Sequence, residues 1–270
     1  MNRYFGWAFA SVVSLGMGGL GVASAADMAV KAPVYKAPPP VLVYDWSGFY
    51  IGLNGGGGST RKCWDLAALS APFGAINPAP AGLVNPNIPE GCHDATGGTV
   101  GGQIGYRWQS AAWVFGLEAQ GNWADFKGSN LNSLAGGLFV AGLTDQSKMD
   151  AFGLFTGQVG YAWNNVLLYA KGGGAVVADR YNTFIAPLGT PIDSGRETRW
   201  GGTVGAGLEY GFAPNWSVAV EYDHLFMGSA NVTANTPAGV FSATDRIHQD
   251  VDIGTVRVNY RFGGPVVAKY

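Results

Sequence analysis

Six charged residues lie on the polar side of segments in which apolar and polar residues alternate: Arg107, Glu118, Lys171, Glu209, Glu221 and Arg257. Successive side chains of a β-strand point to opposite faces, so these charges would share the inside of a closed sheet. A buried charge is costly unless a partner neutralises it. We therefore expect a salt-bridge network of near-balanced sign, with Gln103, Gln120, Gln158 and Asn259 among its members.

Two functions are open to such a network. It can be a fixed polar plug, or its ion pairs can exchange partners and so gate a narrow conduit for ions or small solutes. A wide, permanently open pore is not expected, because eight strands enclose a barrel just wide enough for side chains to fill.

Cys63 and Cys92 are the only cysteines of the chain. In an oxidising compartment such an isolated pair indicates a disulfide. It would close the first long loop, of about 30 residues, with a stabilisation on the order of 3 kcal/mol. A metal site at Cys92-His93 lacks further ligands at a useful spacing. His93, His224 and His248 are scattered and no Ser/His/Asp set can be assembled, so we expect no catalysis, no metal and no cofactor.

The alternation extends over eight segments, at roughly 48–60, 95–108, 112–126, 149–163, 166–179, 197–212, 216–228 and 248–262. Short turns at 109–111, 164–165 and 213–215 join some of them, and long irregular loops at 61–94, 127–148, 180–196 and 229–247 join the others. This asymmetry is typical of an outer-membrane barrel whose loops face the cell exterior. In the last segment Val251 and Ile253 are out of phase with Val256, which predicts a bulge or a stretch above the membrane.

The first 25 residues have the composition of an export signal. Arg3 precedes an apolar stretch from Tyr4 to Val22, and Ala23-Ser24-Ala25 offers a small-x-small cleavage site. An uncleaved anchor helix is the alternative, but its serines and glycines weaken it. We divide the chain into a signal peptide (1–25), a Pro-rich periplasmic segment (26–45), the barrel (46–262) and a C-terminal tail (263–270).

Aromatic residues cluster beside the short turns and at the end of the last segment: Trp108, Trp113, Tyr161, Trp163, Phe212, Trp216, Tyr260 and Phe262. Such residues form girdles at the two interfaces of a membrane barrel. A soluble barrel such as a lipocalin would show the same alternation with its apolar face inward. The export signal, the aromatic placement and the low charged fraction of 13% favour an all-β, eight-stranded antiparallel up-and-down transmembrane β-barrel.

Both ends of the predicted barrel resemble a known family. Asp45 to Gly56 (DWSGFYIGLNGG) is similar to the opening strand of the outer-membrane immunogenic, porin-like surface antigens of alphaproteobacteria, and Val256 to Phe262 (VRVNYRF) resembles their last strand. The chain departs from the family at Arg257, where a small residue is usual, and in the eight residues after Phe262. Either Phe262 or Tyr270 would therefore carry the aromatic signal for barrel assembly.

The resemblance implies an OmpA-like eight-stranded barrel in the outer membrane of a Gram-negative cell, exposed at the surface and contributing to envelope integrity. It supplies no catalytic motif, and haem binding is attributed to some members. We therefore expect a structural, surface-contact protein that is not an enzyme. A narrow gated channel and a receptor for haem or another ligand, using His93, Tyr181 or His248, are the alternatives.

Its expected partners are outer-membrane lipid and lipopolysaccharide, the barrel-assembly machinery, and host or phage ligands at the loops. Nucleic acid is not among them, because 16 Lys and Arg against 18 Asp and Glu leave a net charge of −2. Nucleic-acid binding would need a basic domain or patch.

Overall fold

The computed structural model describes residues 44–69, 88–131, 143–185, 190–235, 237–239 and 241–263. The predicted export signal, most of the Pro-rich segment and most of the tail lie outside the described residues, so the domain boundaries stay predictions. None of the described residues belongs to a helix long and apolar enough to cross a membrane.

Eight antiparallel strands pair in chain order, and the last pairs with the first to close a barrel. They are β1 (Gly48–Leu69), β2 (Ile88–Ser110), β3 (Trp113–Leu131), β4 (Leu143–Trp163), β5 (Val166–Ile185), β6 (Thr190–Ala213), β7 (Trp216–Asn235) and β8 (Phe241–Phe262). The predicted all-β, eight-stranded architecture is confirmed. The strands contain 19 to 24 residues, about twice the 9–11 that cross a hydrocarbon core.

Two-residue turns join the strands at the end that we assign to the periplasm. They lie at Ala111–Ala112, Asn164–Asn165 and Pro214–Asn215, and the predicted turns at 164–165 and 213–215 match them closely. Ala111 and Asn164 have φ angles of 54° and 56°. A positive φ in the turn matches the twist of the two strands it joins, and Asn adopts it readily.

The prediction of long loops is wrong for much of their length, because the strands continue into them. Within the predicted loop 61–94, for example, Arg61 pairs with Asp94 and Lys62 with His93. The predicted segments were placed where apolar and polar residues alternate, and that alternation depends on an apolar side that faces lipid. Beyond the membrane the outer face meets water and carries charge, so that signal ends while the backbone pairing continues.

The outer face of the barrel is apolar over the half nearest the short turns. On β3, Leu117 is 62% exposed while its neighbour Glu118 is 5% exposed, and Val220 and Glu221 on β7 differ in the same sense. A soluble barrel would have the opposite arrangement. The exposed apolar belt is what a hydrocarbon environment requires.

The inner face forms a series of layers along the barrel axis. Nearest the short turns is a periplasmic plug (Trp46, Val114, Ala162 and Leu167). A polar layer follows, made of Arg107, Glu118, Lys171, Glu209, Glu221, Asp223 and Arg257. Above it lies an apolar layer that includes Phe126, Met149, Phe152, Leu154, Val177, Leu225, Met227, Val251 and Ile253. An upper layer then contains Lys62, Trp64, His93, Ser147, Asp179, Tyr181 and Arg199.

The phase change in β8 has a different cause from the predicted bulge. β8 pairs with β1 without a break between Phe262 and Asp245. Val251 and Ile253 face the lumen, on the same side of the strand as Arg257. The bulge is therefore wrong for this strand. What changes is the lumen, which becomes apolar above the polar layer.

Candidate functional site

The polar layer is built from two matching halves of the barrel. In each half a tyrosine, a glycine and a glutamate lie directly opposite one another on three consecutive strands. The first set is on β1, β2 and β3 and the second on β5, β6 and β7: Tyr50, Gly105 and Glu118, and Tyr169, Gly207 and Glu221. The lumen at this level therefore has an approximate two-fold axis along the barrel.

Glycine is required at the centre of each set. A Cβ atom on Gly105 would lie 2.5 Å from the ring of Tyr50, and one on Gly207 would lie 2.5 Å from the ring of Tyr169. Each phenol ring therefore crosses its glycine and reaches the glutamate beyond. The Tyr50 hydroxyl donates to Glu118 Oε2 at 2.7 Å, and the Tyr169 hydroxyl donates to Glu221 Oε2 at 2.6 Å.

Two cations join the halves. Arg257 donates through Nη2 to Glu118 Oε2 at 2.6 Å and through Nη1 to Glu221 Oε2. Lys171 Nζ lies 2.7 Å from Glu221 Oε1 and 3.5 Å from Glu118 Oε1. All four side chains are fully buried. Two carboxylates and two cations thus alternate around a closed ring, which compensates charges that would otherwise be very costly to bury.

Arg107 and Glu209 form the second part of the polar layer. They occupy equivalent positions in the two halves, two residues beyond the central glycines, and Arg107 Nη2 lies 2.9 Å from Glu209 Oε2. The Arg107 guanidinium also lies 4.4 Å from the ring centre of Tyr50 and 5.5 Å from that of Tyr169. This cation–π sandwich fixes the guanidinium on the barrel axis.

All six charged residues that the sequence placed in the lumen are thus buried and in contact within one network. Three members were not included in the predicted network: Tyr50, Tyr169 and Asp223, whose carboxylate lies 3.2 Å from Lys171 Nζ. Strand parity already put Asp223 on the polar side. The tyrosines share that side, but their bonds to the glutamates depend on which glycine lies opposite, which parity does not give.

The lumen is obstructed on both sides of the polar layer. On the periplasmic side the Trp46 ring is buried, and its indole N–H donates to the carbonyl of Asn164 at 3.1 Å. Between Trp46 and the Arg107–Glu209 pair remains a cavity of about 10 Å³, which is about the space for one water molecule. On the exterior side Phe126 and Met149 are fully buried in the apolar layer.

The upper layer contains a second buried ion pair and the disulfide. Lys62 Nζ lies 2.7 Å from Asp179 Oδ1, with both side chains almost completely buried. Burial lowers the pKa of Lys62 despite the opposing effect of Asp179. Cys63 and Cys92 are joined, as predicted. They lie directly opposite each other on β1 and β2. The bond therefore links two paired strands and does not lie in the irregular loop that the sequence predicted.

Contrary to the expectation from the sequence, a Ser/His/Asp set is brought together on the outer face, where His248 Nδ1 lies 3.3 Å from Ser229 Oγ and His248 Nε2 lies 3.3 Å from Asp250 Oδ2. In the upper layer His93 makes a second arrangement that resembles a catalytic set. Its Nε2 lies 2.7 Å from Ser147 Oγ, and its Nδ1 lies 2.7 Å from Asn130 Oδ1. A nucleophile, a base and an orienting group would have this connectivity. Ser147 is fully buried, however, so a substrate has no access to its hydroxyl and the set is a structural hydrogen-bond chain.

Acidification should weaken the upper layer through His93. Burial lowers the pKa of His93 below its usual value of 6.5, so the unfolded chain binds this proton more readily than the folded chain. The contribution to stability is therefore complete above pH 6.5 and is lost as the pH falls towards the folded-state pKa. Urea midpoints in detergent micelles between pH 7.5 and 5 should fall more steeply for the wild type than for His93→Gln. Identical slopes would contradict this assignment.

The residues considered for haem do not form one site. His93 and Tyr181 face the lumen and are buried, whereas His248 lies on the outer face of β8 with its side chain 55% exposed. Among the described residues, no group of three or more His, Cys, Asp or Glu side chains is arranged to hold a metal ion.

The predicted girdle residues lie on the outer face beside the short turns. Seven of the eight are strongly exposed there, and Tyr260 is half-buried between Trp216 and Phe262. Trp113 packs edge-on against Tyr161, with ring centres 5.5 Å apart. A second set of outward aromatics, including Trp123 and Trp200, lies towards the cell exterior. These positions are the two interfaces that an apolar belt needs.

Comparison with known proteins agrees with this geometry. Residues 15–262 match the family model for the outer membrane protein beta-barrel domain. The chain is 31% identical over 253 residues to the 31 kDa outer-membrane immunogenic proteins of Brucella melitensis biotype 1 and Brucella suis biovar 1, covering 89% of this chain and 93% of each relative.

A solved structure shows the same fold at low sequence identity. The outer membrane protease OmpT of Escherichia coli is 11% identical and superposes with a TM-score of 0.50, covering 84% of this chain and 99% of that one. At this identity the likeness concerns the fold alone. The compartment is identified by the family match and the Brucella relatives. The chain belongs to the outer membrane protein beta-barrel family and is an outer-membrane homologue of the Brucella 31 kDa outer-membrane immunogenic proteins.

Proposed function

We propose that this protein is a closed, non-catalytic barrel that contributes to the structure of the outer membrane and uses its exterior half as a contact surface. One observation carries the proposal. The lumen is filled by the interlocked ion pairs of Arg257, Lys171, Glu118 and Glu221, with packed apolar side chains on either side of them. A lumen filled in this way provides mechanical stability rather than passage.

The length of the strands supports the second half of the proposal. Only about half of each strand is needed to cross the hydrocarbon core, and the remainder extends the barrel beyond the outer leaflet. In that part the outward residues are charged, as for Arg61, Asp94 and Lys127. The disulfide between Cys63 and Cys92 and the buried Lys62–Asp179 pair hold this part together. A rigid projecting rim suits contact with lipid headgroups and with host or phage ligands.

The absence of catalysis is part of the proposal and has its own support. Ser147, which has a histidine at hydrogen-bond distance in the upper layer, is fully buried. Ser229, which lies 3.3 Å from His248 Nδ1, is on the exposed outer face of the barrel, whose convex shape does not enclose a substrate. Glu118 and Glu221 are each ion-paired with buried cations and accept a hydrogen bond from a tyrosine hydroxyl. A carboxylate held in this way is not available as a general acid or base.

Planar-bilayer recording of the full chain tests the closed lumen. We expect no steady conductance above that of the protein-free bilayer, because moving an ion through the polar layer would require breaking buried ion pairs. The matched variant is Glu118→Gln, which removes one charge of the ring and keeps its shape. Steady wild-type openings whose amplitude changes in Glu118→Gln would instead establish a gated channel through this layer.

A further inference from the structure

Four basic residues lie directly opposite one another on four consecutive strands of the outer face. Lys127 on β3 pairs with Lys148 on β4, Lys148 pairs with Arg180 on β5, and Arg180 pairs with Arg196 on β6. We call these four residues the basic row. Side chains at directly opposite positions have Cβ atoms only about 5 Å apart, and like charges there are destabilising. The register therefore concentrates positive charge that the fold does not need.

Two aspartates compensate the row incompletely. Asp125 accepts from Lys127 at 2.9 Å and from Lys148 at 3.1 Å. Asp150 accepts from Lys148 at 3.3 Å and from Arg180 Nε. Four cations against two carboxylates leave an excess of two positive charges. Among the described residues Arg196 has no ion-pair partner, and Arg180 shares Asp150 with Lys148.

The uncompensated end of the row borders a cleft. Arg180 and Arg196, with Asn182 and Ser194 on the next pair of positions, line an open space of about 340 Å³. Every one of these four side chains can donate a hydrogen bond, and a guanidinium can hold two oxygens of one phosphate at once. The cleft has the chemistry of a phosphate site.

The height of the row identifies where the phosphate would come from. Lys127 and Arg196 lie four residues beyond the outward-facing Trp123 and Trp200 on the same strands, in the direction of the cell exterior. At about 3.3 Å per residue and a strand tilt near 40°, this is roughly 10 Å above the aromatic interface. The headgroup layer is about 5–8 Å thick on each side of the hydrocarbon core, so the row lies at its outer edge and its long side chains can reach back to the headgroup phosphates.

The opposite side of the barrel gives an internal comparison. Arg61 on β1 pairs with Asp250, and Arg246 on β8 pairs with Asp65. Both arginines are exposed at the outer face, yet each has an acidic residue directly opposite. Arg180 instead has Lys148 and Arg196 directly opposite it and reaches an acidic residue, Asp150, only from an offset position on β4, and the residue directly opposite Arg196 on β5 is Arg180.

From the register, the charge excess and the height, we infer that the basic row binds the phosphate groups of outer-leaflet glycolipid, with Arg180 and Arg196 as its principal contacts. The inference deepens the proposed contact function and rests on it. It assigns one arc of the rim, on β3 to β6, to lipid, and leaves the arc on β7, β8 and β1 for other contacts.

Titration of the fluorescently labelled full chain in detergent micelles tests the site, with thermophoresis as readout. The probes are purified lipopolysaccharide, the same lipopolysaccharide after enzymatic dephosphorylation, and inorganic phosphate. We expect Arg180→Gln/Arg196→Gln to weaken binding of intact lipopolysaccharide at least tenfold, because several charge-assisted hydrogen bonds are lost. Arg61→Gln/Arg246→Gln, which removes the same charge elsewhere, should change it less than twofold. Dephosphorylated lipopolysaccharide should bind the wild type as weakly as intact lipopolysaccharide binds the first variant.

Three results would overturn the inference. They are equal losses in the two variants, equal binding of the dephosphorylated probe, and inorganic phosphate that binds as tightly as the lipid. Heat-modifiable gel mobility verifies that both variants are folded barrels. Because neither variant touches the lumen, a conductance recording of the same preparations reports separately on the closed barrel, so the two proposals fail independently.

Discussion

Arg257→Met is expected to lower the free energy of unfolding by about 3–5 kcal/mol, the usual cost of removing one partner from a buried ion pair. Arg257 is fully buried and bonds both Glu118 and Glu221. Without it the two carboxylates share Lys171 as their cation, and the excess negative charge stays buried between packed apolar side chains. Urea unfolding in detergent micelles, followed by tryptophan fluorescence, measures the loss.

Two further variants show whether the loss comes from the ring. Glu118→Gln in the Arg257→Met background removes one of the uncompensated charges and should recover part of the stability. Lys127→Met breaks an exposed pair with Asp125 and should leave the urea midpoint nearly unchanged, since exposed pairs contribute little. A loss in Arg257→Met no greater than that in Lys127→Met would mean that the ring does not support the fold.

Phe126→Ala should destabilise the barrel by a similar amount, about 3–5 kcal/mol. Phe126 is fully buried in the apolar layer among residues of β3, β4, β7 and β8. The surrounding strands are tied by backbone pairing on both sides and cannot move inward to fill the space, so the cavity would remain. The same urea measurement gives the value.

Phe126→Leu is the matched control for the cavity. It keeps most of the volume and should cost less than about 1.5 kcal/mol. Neither variant should conduct, because the polar layer below stays intact. An alanine variant as stable as the leucine variant would show that the apolar layer is loosely packed and is not a second seal of the lumen.

Strand parity predicted the eight strands and six of the seven charged members of the polar layer, all but Asp223. The periplasmic strand ends follow from short turns such as Asn164–Asn165, and the burial of Arg257 follows from its place between Val256 and Val258. Parity gives the face of a side chain but not its neighbour on the next strand. The Tyr50–Gly105–Glu118 alignment and the basic row depend on register, which is set by the closure of the whole barrel.

The strand segments in the exterior half of the barrel were not predicted, for a different reason. Periodicity detects a strand when one side is apolar and the other polar. Above the membrane both faces mix the two classes: Lys62 and Trp64 point into the lumen, while Arg61 and Cys63 alternate with them. The pairing there continues because each strand is already aligned with its neighbours lower down.

The position of Arg257 on the last strand bears on the order in which the barrel is completed. Glu118 and Glu221 are on β3 and β7, so both are synthesised before the cation that bridges them. An intermediate of β1 to β7, which still lacks β8, carries surplus negative charge that water can solvate. When β8 pairs with β7 and β1, Arg257 is placed between the two glutamates and that water is removed. The compensation of Glu118 and Glu221 by Arg257 thus favours the fully closed barrel over an intermediate that lacks β8.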